Sequence, residues 1–299
     1  MEAIKLVSNS QATDLSPVKR ELLEKRLKGV LKPFGSGGSV IPPRDPAAAI
    51  PLSHSQERLW FIHQMEPDTC AYNLPCALRI SGELNAEALE AALNGLVERH
   101  EILRTTFTLN EGRPVQVVQA ASSIPLPLID LQEYASSERD AHLAQLVHRE
   151  VQRTFKLEEW PLLRCFLFRL NEREHLFLSV THHILSDGWS LGVFFKELEQ
   201  LYHGCVRGLT PELSPLAVQY GDFAVWQQQQ TQNEAFEADV RFWKEKLTGA
   251  PVSLDLPTDK ARPARPGFRG EHLTLTLPEP FYQSMIDLNR DLGTTVFML

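Results

Sequence analysis

The chain has 299 residues, a formal net charge of −8, 43% hydrophobic and 23% charged residues. That balance suits one large or two ordinary globular domains with a sizeable core, and an acidic surface argues against the basic stripe that nucleic-acid backbones require. No apolar run approaches the roughly 18–20 residues of a membrane span, and MEAIKLVSNSQATD has neither an apolar signal core nor a small-residue cleavage site.

Residues 1–45 read as an N-terminal helix followed by a flexible linker. Ser16 and Pro17 are the expected N-cap and first helical position of a charged helix over 18–28, and GVLKPFGSGGSVIPPRDPAAAIP has linker composition. From Pro51 the sequence becomes dense. Ser53–Met65 is an expected amphipathic helix, Ala77–Ser81 a strand, and Asn85 the cap of a helix with Leu89, Leu93, Leu96 and Val97 on one stripe. Thr105–Leu109 and Pro114–Val118 flank Asn110-Glu111-Gly112 as a hairpin. Asp140 is the expected cap of the next helix, whose apolar face carries Leu143, Leu146, Val147 and Val151.

Leu162–Leu170 and His175–His182 predict two strands, followed by a helix over Ser190–His203 that Gly204 ends. This alternation predicts mixed α/β layers. After Trp226 the texture changes, with an exposed helix from Gln227 towards Asp239, an extended Pro- and Arg-rich crossing stretch over 256–270, a strand at Glu271–Leu277, and a helix from Pro280. The chain stops in the apolar run TTVFML, which has nothing after it to bury against and reads as a gene fragment. Cys70, Cys76, Cys165 and Cys205 show no CxxC pair and no zinc spacing. Cys165, inside LLRCFLFRL, is expected to be a buried reduced thiol, and the protein to be cytoplasmic.

The chemistry concentrates at THHILSDG, residues 181–188. On a strand, Leu176, Leu178, Val180 and His182 share one face; Phe177, Ser179, Thr181 and His183 share the other. His182 therefore continues the apolar face as a hydrogen-bonded core residue. His183 continues the more polar face at the strand's C-terminal end, where α/β sites open. Two adjacent strand histidines cannot ligate one metal, and no HExxH or Cys/His cluster supplies other ligands. No metal is expected. Ser186 lacks the GxSxG elbow of a nucleophile. For His183 two readings stand, a general base or a satisfied interior histidine. Asp187 either orients an arginine or caps the helix at Ser190, and Gly188 is expected to permit a tight strand-to-helix turn.

THHILSDGWS resembles the central signature of nonribosomal peptide synthetase condensation domains. LSHSQERLWFIHQ at 52–64, YNLP at 72–75, RHEILRTTF at 99–107 and YGDFAVWQ at 220–227 match other motifs of that family in order. The resemblance continues through FWKEKLTGAP and LPTDKARPA. The histidine pair separates the chain from heterocyclisation domains, and RHEILRT with YNLP looks most like the subtype joining two L-configured residues.

The resemblance implies a two-lobed, chloramphenicol acetyltransferase-like α/β fold, with 46–226 as the N-terminal lobe and 227–299 as a crossover segment and the start of a second lobe that is incomplete here. It also implies a tunnel with His183 at its midpoint. Upstream and downstream peptidyl carrier proteins would present thioesters on 4′-phosphopantetheine arms, beside an adenylation domain. No cofactor is bound directly, and neither nucleic acid nor membrane is a partner. The acceptor's α-amine would attack the donor's thioester. Asp187's counterpart is structural and commonly paired with an arginine, for which Arg104 and Arg99 are the candidates here. Gln56, Arg58, Trp189 and Ser190 are the candidates to line the tunnel, although composition favours core positions for Trp60 and Trp189. Two other readings are a coenzyme A-dependent acyltransferase of the same superfamily and a non-catalytic fragment that binds carriers.

Overall fold

A computed structural model describes residues 41–209, 213–231, 234–253, 256–261 and 273–299. The expected leader helix, and most of the Pro- and Arg-rich stretch, lie outside those residues. The chain separates into two units, one of them Ile41–Pro257 and the other containing Thr258–Leu299. Residues 41–45 thus belong with the first unit.

Seven strands and six helices make up that unit among its described residues: β1 (Ile50–Pro51), α1 (His54–Met65), β2 (Asn73–Ser81), α2 (Ala86–Arg99), a 3₁₀ turn (Glu101–Arg104), β3 (Thr105–Asn110), β4 (Arg113–Val118), β5 (Leu128–Asp130), α3 (Ser136–Gln152), β6 (Leu163–Asn171), β7 (Glu174–His182), α4 (Gly188–Val206), α5 (Tyr220–Gln230) and α6 (Glu234–Lys246). β2, β7, β6 and β5 form one sheet in that order, antiparallel except for the parallel β5–β6 pair. β1, β4 and β3 form a second, antiparallel sheet. The fold is mixed α/β.

Strand alternation places the core. Leu163, Cys165 and Leu167 of β6 and Phe177 of β7 face α2 and α4, where Leu93, Leu96, Leu198 and Leu201 close the layer. Phe168, Leu178 and Val180 face the opposite way, towards Leu143 of α3 and Phe155. Each fully buried Leu or Phe is worth about 1.5–3 kcal/mol. Both faces of β7 are therefore covered, and Ser179 and Thr181, on the more polar face, are 2% and 4% exposed. Burial pushes the Cys165 thiol far up, so it stays protonated.

Local chemistry explains most boundaries and several departures from expectation. Ser53 caps α1 in a capping box with Gln56, and Asn85 caps α2. The β3–β4 hairpin turns through Glu111 and Gly112, both at positive φ. α3 begins at Ser136 rather than at Asp140, with Ala135 at the cap position making no side-chain cap bond and Glu138 supplying the first-turn carboxylate. β2 starts at Asn73, four residues before the expected strand, since β7 offers a partner at every position from Ser81 back to Asn73. Gly204 lies inside α4 and does not end it; Gly208, at φ +66, follows the Arg207 cap. The polar stretch after Trp226 is split by Thr231 between α5 and α6.

In the second unit, α7 (Glu279–Leu292) ends on Gly293 in the left-handed conformation. The strand expected at Glu271–Leu277 is not formed where it is described. Residues 273–277 pair with no strand among the described residues, and Leu273 is 99% exposed.

Candidate active site

β7 delivers both histidines to one strand end, and β2 holds that end in place. The His183 N–H donates to the Tyr72 carbonyl at 2.8 Å, one residue before β2 pairs Asn73 with His182. Asn73 is itself tied down, its amide donating to the carbonyls of Val151 and Arg153 at 2.7 and 3.0 Å.

His182 is 2% exposed, with its ring edge-on to His63 and Phe155. Its Nδ1 accepts the Ile184 N–H at 3.1 Å, which keeps a lone pair on that nitrogen. Burial, helped by His63 and His183, holds its pKa down to about 3. The expected core histidine is found.

His183 is half-buried and lines an open cavity of about 430 Å³, together with Ser55, Gln56, Arg58, Tyr72, Ser186, Asp187, Ser190 and Tyr220. Its Nδ1 lies 2.9 Å from the Ser186 carbonyl oxygen. A carbonyl only accepts, so Nδ1 carries the hydrogen and the neutral ring keeps its lone pair on Nε2. Nε2 has no hydrogen-bond partner among the described residues. That arrangement can accept a proton from a group in the cavity.

The residues expected around it divide. Gln56, 1% exposed, accepts from the Ser53 N–H and donates to the Ile184 carbonyl and Gln116 Oε1. It therefore anchors the backbone directly after His183. Arg58 stands exposed at the cavity and reaches Ser55 Oγ at 3.5 Å. Asp187 caps α4, accepting from the Ser190 N–H at 2.8 Å and the Ser190 hydroxyl at 2.7 Å. Those bonds, the hydroxyl's foremost, hold its carboxyl below the usual range.

The expected arginine partnership is not made. Arg99 pairs with Glu197 at 3.0 Å and donates to the Ser214 carbonyl, while Arg104 donates to the Gln119 carbonyl at 2.6 Å. Arg99 ends α2 and Arg104 ends the 3₁₀ turn, where Glu197 of α4 and the carbonyl after β4 take up their guanidiniums, and the cap already engages Asp187 Oδ1. Gly188 needs no positive φ and begins α4. Trp60 packs against the core, but Trp189 is 85% exposed on the first turn of α4, contrary to the core position expected for it.

A second cavity of about 520 Å³ adjoins the first. Leu185, Ser186, Ser190 and Tyr220 line both. Its remaining walls are mainly apolar, with Leu163, Ser179 and Thr181 from the sheet and Trp189 and Phe194 from α4. Tyr72 and Tyr220 are site residues that residue-by-residue reasoning passed over. Both sit inside matched motifs, YNLP and YGDFAVWQ, and the aromatic opening each motif was the available signal.

Residues 47–299 match the family model described as Condensation domain. The chain belongs to the condensation domain family. This condensation domain is 42% identical over 260 residues to a linear gramicidin synthase polypeptide of Brevibacillus parabrevis, covering 87% of the chain and 3% of that protein. It is 38% identical over 285 residues to phosphinothricin tripeptide synthetase PhsC of Streptomyces viridochromogenes, covering 95% of the chain and 26% of that protein. Among solved structures, the X-domain from teicoplanin biosynthesis superposes with a TM-score of 0.74 at 30% identity, over 86% of this chain and 56% of that one. The first condensation domain of the CDA synthetase shares the fold at a TM-score of 0.67 and 22% identity, over 84% of this chain and 59% of that one. The chain thus spans a small part of the synthetases it matches and somewhat over half of the solved domains.

Proposed function

We propose that this condensation domain contributes the His183 side of a site that joins a donor acyl or peptidyl thioester to the α-amine of an acceptor aminoacyl thioester. Both substrates would arrive on the phosphopantetheine arms of carrier proteins, within a cytoplasmic synthetase that also holds an adenylation domain. The residues after 226 would lead into the second lobe. The observation that carries the reading is the Nδ1–H of His183 bonded to the Ser186 carbonyl, with the Nε2 lone pair left for the cavity.

In the reaction the acceptor nitrogen bonds to the thioester carbonyl carbon, and the carbon–sulfur bond breaks. The proton shed by the amine passes to Nε2 and from there to the departing thiolate, so the imidazole ends as it began. The thioester is already activated and no covalent enzyme intermediate is needed. Holding both arms in register supplies up to about 7–11 kcal/mol, against about 3–5 kcal/mol for a positioned base. Orientation is the larger contribution. Gln56, which fixes the backbone after His183, and Asp187, which fixes the start of α4, act as supports and do not exchange protons.

The test is His183→Ala in an intact synthetase carrying this sequence, supplied with two loaded carriers. Amide formation should fall about 10²–10⁴-fold and remain measurable; an unaltered rate removes His183 from the chemistry. A second reading, binding without catalysis, draws on the teicoplanin X-domain, which is solved in a complex with OxyB. It predicts that the unaltered protein retains carriers and makes no amide. Turnover of coenzyme A thioesters without carriers would instead favour the acyltransferase reading.

A further inference from the structure

Arg44 lies where composition predicts a loose linker, yet its side chain is only 15% exposed. Its guanidinium joins two carboxylates from distant parts of the chain. Nη1 donates to Asp222 Oδ1 at 2.8 Å and Nη2 to Glu101 Oε2 at 2.7 Å, while the Arg44 backbone N–H also reaches Asp222 Oδ1 at 3.2 Å. Asp222 Oδ2 accepts the Gln219 N–H at 2.7 Å, so this 6%-exposed carboxylate is bonded through both oxygens. Gln219 in turn accepts from the Glu101 N–H and donates to the Arg99 carbonyl. The fit is close: a Cβ added at Gly221 would stand 3.1 Å from Arg44 Nη1 and 3.2 Å from Ile50.

What this junction holds is the first turn of α5. Tyr220, two residues before Asp222, places its hydroxyl 2.9 Å from Ser53 Oγ, the cap of α1, and lines both cavities beside His183. Further along α5, Gln227 accepts the His54 N–H and Gln228 donates to the Leu52 carbonyl. The helix is therefore pinned to the start of α1 by hydrogen bonds from uncharged side chains, one of them from Gln228 to the Glu57 carboxylate at 3.0 Å, and to the incoming chain by the paired charges of Arg44. Charge-assisted, two-pronged contacts of a guanidinium are the stronger and more directional kind.

We infer that Arg44 is a positioning residue for the site: by clamping Asp222 and Glu101 it fixes Tyr220 in the wall shared by the two cavities, and so couples the chain entering the domain to the geometry around His183. This rests on the proposed function only for its effect on catalysis. The clamp itself is read independently of turnover.

The experiment compares the 299-residue chain with Arg44→Gln and Arg44→Lys by hydrogen exchange resolved to segments, and by the rate at which diethyl pyrocarbonate modifies His183, with exposed His148 and His203 as internal standards. Arg44→Gln should speed exchange over 220–230 about tenfold, leave β6 and β7 protected, and change the His183 modification rate at least threefold. Arg44→Lys, which keeps the charge but not the fork, should recover part of both effects. Unchanged exchange in α5, or equal loss across α5, β6 and β7, overturns the clamp. In the intact synthetase, Arg44→Gln should lower kcat severalfold with KM for the loaded carriers unchanged, and a change in KM alone overturns the link to His183. An unaltered synthetase that makes no amide counts against the proposed function, while the exchange result still decides the clamp.

Discussion

His182 and His183 are adjacent in sequence and opposite in circumstance. The first is sealed among His63, Tyr72 and Phe155, bonded to the Ile184 N–H and held neutral by burial. The second uses one nitrogen to grip the Ser186 carbonyl and presents the other to a cavity. Alternation along β7 sends the two rings to different sides, and what each side meets decides which imidazole can do chemistry. One histidine builds the platform and its neighbour works from it. On this view the two positions answer differently to substitution, one in stability and the other in rate.

Three stability measurements on the 299-residue chain can break or sharpen that contrast. The largest effect is expected at His182. His182→Ala removes packing and strands the Ile184 N–H, and should lower unfolding free energy in urea by about 2–5 kcal/mol; a change below 1 kcal/mol would mean the ring carries little. The same residue gives a pH signature. Its folded value of about 3 lies well below the ordinary histidine value near 6.5, so on acidification the unfolded chain binds the proton first. Stability should therefore be complete above about pH 6.5 and fall towards pH 3, by up to about 1.4 kcal/mol per unit. His63, also lowered chiefly by burial, adds to the same loss. His182→Asn, whose side-chain oxygen can still accept from Ile184, should flatten that pH dependence.

Gln56 comes next. Gln56→Ala leaves the Ser53 N–H and Ile184 carbonyl without their partner, at an expected cost of about 1–3 kcal/mol. Because the Ile184 carbonyl follows the catalytic candidate directly, the variant should also lose activity, whereas full activity would show that His183 is held from β2 alone.

Asp187 is the smallest. Asp187→Ala removes the α4 cap at about 1 kcal/mol and Asp187→Asn much less. The depressed carboxyl contributes stability above the ordinary carboxylate value near 3.9 that is lost as pH falls through its folded value. An arginine acting on Asp187 would show as a stability loss in Arg99→Ala or Arg104→Ala that vanishes in the Asp187→Ala background; none is expected, since those side chains serve Glu197 and Gln119.

The local plan was legible wherever one kind of residue has one physical use. Asn85 announced its helix, Glu111-Gly112 the hairpin turn, and the alternation of β7 the opposite fates of the two histidines. The partners of long polar side chains were not legible. Arg99, Arg104 and Arg44 each have several carboxylates or carbonyls within reach of a flexible stem, and only assembled neighbours select among them. Trp189 lines the second cavity, as one of the cavity candidates, but not the core its hydrophobicity suggests, because its position on the open side of α4's first turn is not visible in sequence.

By itself, then, the order of residues determined the family motifs, the helix and hairpin punctuation, and which histidine would be interior. Those are short-range matters, settled by propensity, capping and strand period. Only the tertiary structure decided that the Ser186 carbonyl sets the tautomer of His183, that two cavities share one wall, and that an apparent linker residue clamps α5. Each of these depends on where separate segments meet, and a hydrogen bond or a cavity exists only once both sides are in place.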